Sequence, residues 1–548
     1  MLVNRAQDRV ELGHRVLARD SAPPVWMITG AAATSRVQPE ANPLLASVAT
    51  SARLQLTGDG GRWLGLEVPD AAFGRVAGSL HMDDAWTVAG VSRDGVALPV
   101  TIAPGRDLEI DIARPDRRLV IVDLGPDPGT ALTLDVAWSQ RVPWKRADHL
   151  ATTNVQRGTG TPMLPALPTV AGAARDFPYQ LVVHAPAAVD LVVSGTWQSD
   201  ELTRKGRTVR TRGTTGGAAT VVAGQWSAQA HGPVSVHFER SGDAQSAARL
   251  VGAFAAWSGL PASDVDLVEL PPEFTPPRAL WGEGIAGIRP VLTLADSLWF
   301  DDAVDAPNLD AFLLSEGVAG ASLAHLAVDA VGAAWVDALA RAFALDLQAA
   351  LDPKAARTWR RDLQTCATLP TRTPALSPEV AATSGFRDPS VRCAAPLVLG
   401  PMLADRFGEA GALRIRSALL ASGRADVESW RVAALAEDPE AGPWVDRWLR
   451  DGHIAGPIAA SIDTVEADEG GWRVRGTVRS GTELGGAPVV VRLMGAKVDL
   501  AVPVPGREAA FDVVVPGKPS RAVVDPELRL LRPGPLASTA SERSTEPG

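Results

Sequence analysis

Residues 323–350 read LAHLAVDAVGAAWVDALARAFALDLQAA. Val336, Leu339, Phe343 and Leu347 recur at intervals of three and four, the spacing of one helix face. The stretch predicts one long amphipathic helix or two abutting ones. The most apolar part of the chain, residues 317–328, overlaps its start. That run is shorter than the roughly 20 apolar residues a membrane span needs, and it contains His325. A buried helical region at the centre of a folded chain is therefore expected, with no membrane span.

On either side of this region the period changes. From residue 45 to 240 the chain runs through short β-branched or alternating segments, such as ARLQLTG (52–58), RRLVIVDLG (117–125), LTLDVAW (132–138) and YQLVVHAP (179–186). Turn residues separate them, which predicts a large all-β domain. GTGTPMLPALPTVAG (158–172) is too proline-rich for a helix or a central strand and predicts an ordered loop. Helical character starts near residue 243, with further helices expected around 353–366, 396–422, 426–436 and 441–450. After Gly456 the period returns to two, in WRVRGTVRS, APVVVRLMG and AAFDVVVPG, which predicts a small β-sandwich. The expected fold class is α+β multidomain: a β-rich N-terminal domain, an α-rich central domain and a C-terminal β-sandwich. The expected boundaries are a leader at 1–40, then 41–242, 243–456 and 457–535, with a disordered Ser/Thr/Glu/Pro-rich tail at 536–548.

Composition narrows the function classes. The chain has 548 residues, 46 % hydrophobic and 21 % charged, with a net charge of −10 and a pI near 5.4. An acidic chain gains little from a phosphate backbone, so nucleic acid is not an expected partner. The basic run Arg204, Lys205, Arg207, Arg210 and Arg212 reads as a solvated hairpin rather than an anion patch. The two cysteines, Cys366 and Cys393, do not make a disulfide scaffold and read as buried small hydrophobes. Residues 1–20 have no signal-peptide apolar core, so a cytoplasmic location is the default expectation. Asp301, Asp302, Asp305 and Asp310 lack EF-hand spacing and read as a solvated loop. The 16 tryptophans read as core and interface packing rather than a sugar-binding surface.

Four segments, in order, resemble the aminopeptidase N family of gluzincin zinc metallopeptidases. DFPYQLVVHAP (176–186) is similar to late strands of the family's N-terminal domain. VELPPEFTPPRALWGEGIAGIRPVL (268–292) is similar to the approach to its substrate-amine loop. PWVDRWLRDGHIAGP (443–457) resembles the end of its catalytic domain, and RAVVDPELRLL (521–531) resembles the last strand of its β-sandwich. The resemblance covers roughly residues 45–535 and implies a thermolysin-like central domain. It also implies zinc chemistry: two histidines at i and i+4 on one helix, a glutamate general base after the first, a glutamate ligand on the next helix, an oxyanion tyrosine and a Gly-x-Met-Glu-Asn amine loop.

This chain departs from that pattern at each position. None of its eight histidines lies four residues from another, so H-E-x-x-H is absent. On the resemblance, His325-Leu326-Ala327-Val328-Asp329 takes its place, with His325 as first ligand, Leu326 for the base and Asp329 for the second histidine. Leucine cannot accept a proton. His325 and Asp329 form at most half a metal site, and their bland reading is an i, i+4 pair. Trp335-Val336-Asp337-Ala338 resembles the third-ligand segment, with Ala338 at the glutamate and Asp337 one step off, about 100° around the helix. The interval from His325 to this segment is shorter than the family's. The single tyrosine, Tyr179, lies in a strand of the first domain, and the expected tyrosine region, 386–400, has none. The amine loop aligns with Gly284-Ile285-Ala286-Gly287-Ile288, beside Glu283, which reads as a surface charge.

The resulting expectation is a degenerate, non-catalytic relative (a pseudoenzyme) that serves a protein or peptide partner, with no cofactor. The alternative is an active zinc metallopeptidase with a rearranged site built from His325, Asp329 and Glu316. A second alternative is a peptide-binding module without turnover.

Overall fold

A computed structural model of the chain describes residues 26–40, 45–69, 86–102, 117–144, 164–170, 173, 176–238, 244–269, 280–288, 306–326, 330–367 and 389–532. The described residues form two compact units. One takes in those up to Leu347 and the segment Arg416–Asp426; the other takes in Gln348–Ala367, Pro389–Ile415 and Val427–Arg532. This division differs from the expected boundaries: the β-rich region and the first central helices share one unit.

In the first unit, alternation produces an eight-stranded sheet. Its middle strands are β1 (Trp26–Pro39), β2 (Leu45–Gly58), β3 (Ala131–Pro143) and β4 (Tyr179–Ala185), followed towards one edge by the hairpin β5 (Thr196–Thr203) and β6 (Gly206–Gly213). The order from that edge is β5-β6-β4-β1-β2-β3, then Trp86–Arg93 and Val96–Ala97. β1 pairs antiparallel with β2 and parallel with β4. Along β2, Ala52, Leu54 and Leu56 point into the core while Arg53 and Gln55 face out, as period two requires. Residues 26–39, assigned to the leader, are thus a central strand. β1 bulges between Ile28 and Gly30, where a Cβ on Gly30 would lie 2.9 Å from Gln55 Oε1.

Two arginines of the basic hairpin are ion-paired. Arg207 pairs with Asp190 and Asp200 at 2.7 Å each, and Arg210 with Glu201 at 2.6 Å. The proline-rich segment contributes only short edge strands, Leu164–Pro165 and Thr169–Val170.

The same unit contains a second, five-stranded sheet. Its strands are β7 (Ser227–His231), β8 (Val234–Phe238), β9 (Val265–Glu269), β10 (Leu280–Gly282) and β11 (Ile285–Ile288), in the order β7-β8-β9-β11-β10. Helix α1 (Ala244–Ser258) carries the chain between the parallel strands β8 and β9. Two further helices follow, α2 (Ala306–Leu323) and α3 (Ala330–Leu351). Phe254 and Trp257 of α1 pack edge-on against Phe343 of α3, with centroids 5.2 and 5.6 Å away. Trp26, Trp335, Trp430 and Trp444 are among the largest fully buried side chains, so tryptophan serves the core here. Asp310 lies inside α2, not in a loop; Asp301, Asp302 and Asp305 fall outside the described residues.

In the second unit, α4 (Pro353–Ala367) and α5 (Pro389–Leu397) are joined by a disulfide between Cys366 and Cys393, with Cα atoms 5.8 Å apart. This corrects the reading of both cysteines as unpaired hydrophobes. Helices at Leu403–Ala421, Val427–Glu437 and Gly442–Val445 lie close to their expected positions. Two three-stranded sheets complete the unit. One contains Ile458–Asp468, Gly471–Ser480 and Glu508–Val515; the other contains Ala487–Met494, Val498–Val504 and Arg521–Val524.

The segment after the last strand is anchored by Asp525. Its carboxylate is 2 % exposed and accepts hydrogen bonds from the Arg529 and Leu530 amides, at 2.7 and 3.3 Å, and from Arg532 Nε at 3.2 Å. Gln364 of α4 donates to the carbonyls of Leu528 and Leu530 in this segment. Burial outweighs the Arg532 charge and pushes the Asp525 carboxyl up to about 6. An unfolded aspartate titrates near 3.9. The folded chain therefore holds this proton more tightly, and the stability from this group falls as pH rises from about 4 to about 6. The urea midpoint of the wild type, minus that of Asp525→Asn, is expected to decrease through this window and stay level above it. A difference that is flat across pH 4–6 would contradict this assignment.

Candidate functional site

The candidate site grows from the tight hairpin that links β10 to β11. Gly282 pairs with Ile285, so Glu283 and Gly284 alone form the turn. Gly284 adopts φ +72°, the left-handed conformation such a turn demands. Glu283 is held at the tip from two directions. Its amide donates to the Ala218 carbonyl at 3.0 Å, and its carboxylate accepts a hydrogen bond from the Tyr179 hydroxyl at 2.8 Å.

Tyr179 is 2 % exposed, and glycines make room for it: a Cβ on Gly213 would lie 2.4 Å from its ring, and one on Gly195 2.8 Å from its hydroxyl. Burial and the adjacent Glu283 carboxylate raise the phenol pKa, so it stays a hydrogen-bond donor at physiological pH. Glu283 is therefore a positioned, half-buried carboxylate rather than a surface charge, and the chain's single tyrosine positions it. Gly287 lies not in a loop but within β11, paired with Val268 and Leu280.

Beside the hairpin, α2 and α3 present a second cluster. Trp281 of β10 covers α2 so closely that a Cβ on Gly320 would lie 2.4 Å from the indole. Its Nε1 donates to Asp337 of α3 at 3.1 Å. Glu316 of α2, 5 % exposed at its side chain, accepts from Arg341 Nε of α3 at 2.9 Å. Burial works against the Arg341 charge, but the Glu316 and Asp337 carboxylates outweigh it and raise the guanidinium pKa. Ser315, Val318 and Ala319 on the same stretch of α2 are buried, as is Ala338 of α3.

His325 sits in a 3₁₀ turn, Ala324–Leu326, just past the end of α2; Asp329 falls outside the described residues. The i, i+4 α-helical geometry assumed for that pair does not hold at His325. The residue is exposed, and its Nδ1 lies 3.2 Å from the Ser322 carbonyl. Protein packed along the ring still lowers its pKa, against the pull of the Ser322 bond and the Glu283 and Asp176 carboxylates. Leu326 is fully buried in the core. Of the residues singled out in the sequence, His325 and Glu283 are thus brought into one electrostatic neighbourhood, whereas Asp337 and Glu316 are committed to the Trp281 and Arg341 cluster.

A zinc site would need three protein ligands converging on one point. Among the described residues no group of three or more His, Cys, Asp or Glu side chains is arranged to hold a metal ion. Ser315 and Ala319 of α2 and Ala338 of α3 are buried, and Glu316 is already paired with Arg341. The described residues on α2 and α3 do not fit a zinc ion of the peptidase type. Among the described residues, no helix is long and apolar enough to cross a membrane.

No protein-family model matches the chain, and no curated protein matches it. Solved structures do. A mutant M1 zinc metallopeptidase from Deinococcus radiodurans, bound to a Tyr-Ser-Ala substrate, is 12 % identical, with 80 % of this chain and 98 % of that one covered at a TM-score of 0.51. The M1 zinc metallopeptidase itself from that organism is 13 % identical, covering 78 % and 94 % at 0.50. The mutant described without a substrate is 14 % identical, covering 79 % and 97 % at 0.51. The chain shares the fold of M1 zinc metallopeptidases. At these identities the likeness establishes the β-rich beginning and helical middle of that fold, and it does not establish the peptidase chemistry.

Two features of this site escaped the sequence reading. Nothing in the sequence analysis marks Arg341, although the two acidic residues that it meets, Glu316 and Asp337, are a possible signal for it. Tyr179 is more than a hundred residues from Glu283, and no local pattern joins them.

Proposed function

We propose that this chain is a peptidase-fold protein that acts by binding, without zinc-dependent hydrolysis. The observation that carries this reading is the Glu316–Arg341 ion pair where α2 faces α3. We register the vestigial motif on Ser315-Glu316-Gly317-Val318-Ala319 of α2, not on His325. Glu316 then stands in the general base's place, and Ser315 and Ala319 replace the two histidines. Ala338 replaces the third ligand. Moving the register back from His325 to Ser315 also lengthens the interval to the Trp335 segment, so no trimmed loop is required. Serine and alanine cannot ligate zinc as histidine does, and the Glu316 carboxylate is engaged by the Arg341 guanidinium. The alternative active site of His325, Asp329 and Glu316 loses support, because Glu316 is already engaged. In this reading the helical middle is a thermolysin-like domain and the two C-terminal sheets are a β-sandwich.

The Tyr179–Glu283 hydrogen bond favours a more specific version, in which Glu283 receives the ammonium group of a peptide N-terminus. A charge-assisted contact of this kind contributes about 1.5–3 kcal/mol, roughly ten- to hundredfold in affinity. Glu283→Gln is expected to weaken binding of free-amine pentapeptides by about that factor, as read by fluorescence polarisation of C-terminally labelled peptides. N-acetylated versions should bind weakly to both proteins. Equal affinity for free and acetylated peptides would remove this reading.

The Cys366–Cys393 disulfide supports an oxidising compartment in preference to the cytoplasm, where thiols are kept reduced.

A further inference from the structure

We propose that Arg341 is a built-in cation: standing between Glu316 of α2 and Asp337 of α3, its guanidinium supplies from within the chain the positive charge that a bound metal would otherwise supply. The inference rests on the registration of the vestigial motif given above and predicts that this place excludes metal. A carboxylate as buried as Glu316 is costly unless it is paired. In a metallopeptidase site the glutamate base faces a metal-bound water beside the cation. Here Arg341 provides the pairing at 2.9 Å, and its side chain is itself only 19 % exposed.

The helix geometry makes this possible. Arg341 follows Ala338 by three residues, so both lie on neighbouring positions of one α3 face. With Ala338 where the resemblance implies a glutamate, and Arg341 three residues on, the charge that α3 offers to α2 is positive. Asp337, one residue before Ala338, adds a second carboxylate and is oriented by the Trp281 indole. That indole also occupies the surface of α2 at Gly320, next to Ala319. The result is a closed cluster of two carboxylates, one guanidinium and one indole. Any divalent ion entering it would meet a fixed positive charge at close range, in surroundings that screen poorly.

Two consequences separate this from an ordinary packing interaction. Metal should be excluded for as long as Arg341 is present, and stability should be independent of metal. The direct test uses the full chain carrying Ser315→His, Ala319→His and Ala338→Glu together, with Arg341 kept or replaced by Arg341→Ala. After dialysis against zinc, the variant that retains Arg341 should hold no stoichiometric zinc, and the one lacking it should hold about one ion per chain. Equal zinc uptake by both would overturn the proposal.

If the grafted variants do not fold, the ion pair itself decides. Arg341→Met should lower the melting temperature by on the order of 10 °C. Adding Glu316→Gln to it should recover part of the loss, and EDTA should not shift the wild type. Strictly additive effects of the two substitutions would overturn the proposal, because a paired buried charge must show coupling. Turnover of aminoacyl substrates by the wild-type chain would sink the functional reading and leave this coupling untouched. Additivity without turnover would sink only the built-in cation.

Discussion

Cys393→Ser is expected to destabilise the second unit by about 3–4 kcal/mol. The bond closes a loop across a sequence separation of 27, and loop-closure entropy for a ring of that size gives about this value. For a unit of this size, the melting temperature should fall by on the order of 10 °C. Cys366→Ser should behave alike, and the double variant should add little, since either single change already breaks the bond. Reduction of the wild type should reproduce the loss. Thiol titration of the unfolded, unreduced chain should find no free cysteine. Two titratable thiols, or single variants as stable as wild type, would show that the two cysteines are not bridged.

Asp525→Ala should cost a comparable amount, about 3 kcal/mol or more. The carboxylate satisfies two backbone amides and one guanidinium in a place almost without water. Alanine leaves all three without that acceptor, and each buried unsatisfied donor costs about 1–3 kcal/mol. The Arg532 charge, 19 % exposed, would lose its partner. Asp525→Asn retains an acceptor oxygen and should be the milder change. The order of the two variants in urea midpoint checks the account. Equal losses would mean that the backbone bonds, not the charge, contribute little.

Much of the fold was legible because its periods are strong. Leu54, Leu56, Leu132, Leu134 and Val136 alternate cleanly with polar neighbours, and the strands that contain them were readable. β1 was not, since AAATS supplies small side chains with little hydrophobic contrast between its faces. Helix α2 was missed for the opposite reason. Residues 315–321 are buried without interruption, so no amphipathic stripe marks the helix. In the sequence, Glu316 enters only in the alternative site, and the motif centres on His325, the residue with recognisable ligand chemistry. A histidine in a 3₁₀ turn cannot use the i, i+4 geometry on which that reading depended. The disulfide was invisible because two cysteines in a long chain carry no pairing pattern; only the approach of α4 and α5 supplies it.

The absence of H-E-x-x-H could be read directly from the residues and needs no structure. What the fold adds is where the residues meet: Glu316 of α2 pairs with Arg341 of α3, Trp281 donates to Asp337, and the hairpin carries a carboxylate oriented by Tyr179.

The most direct test of this account is a paired measurement on the full-length wild-type chain. Zinc content after dialysis against zinc is measured together with turnover of aminoacyl fluorogenic substrates. The account predicts no stoichiometric zinc and no turnover above a metal-free control. About one tightly held zinc per chain, with turnover that EDTA abolishes and zinc restores, would contradict it.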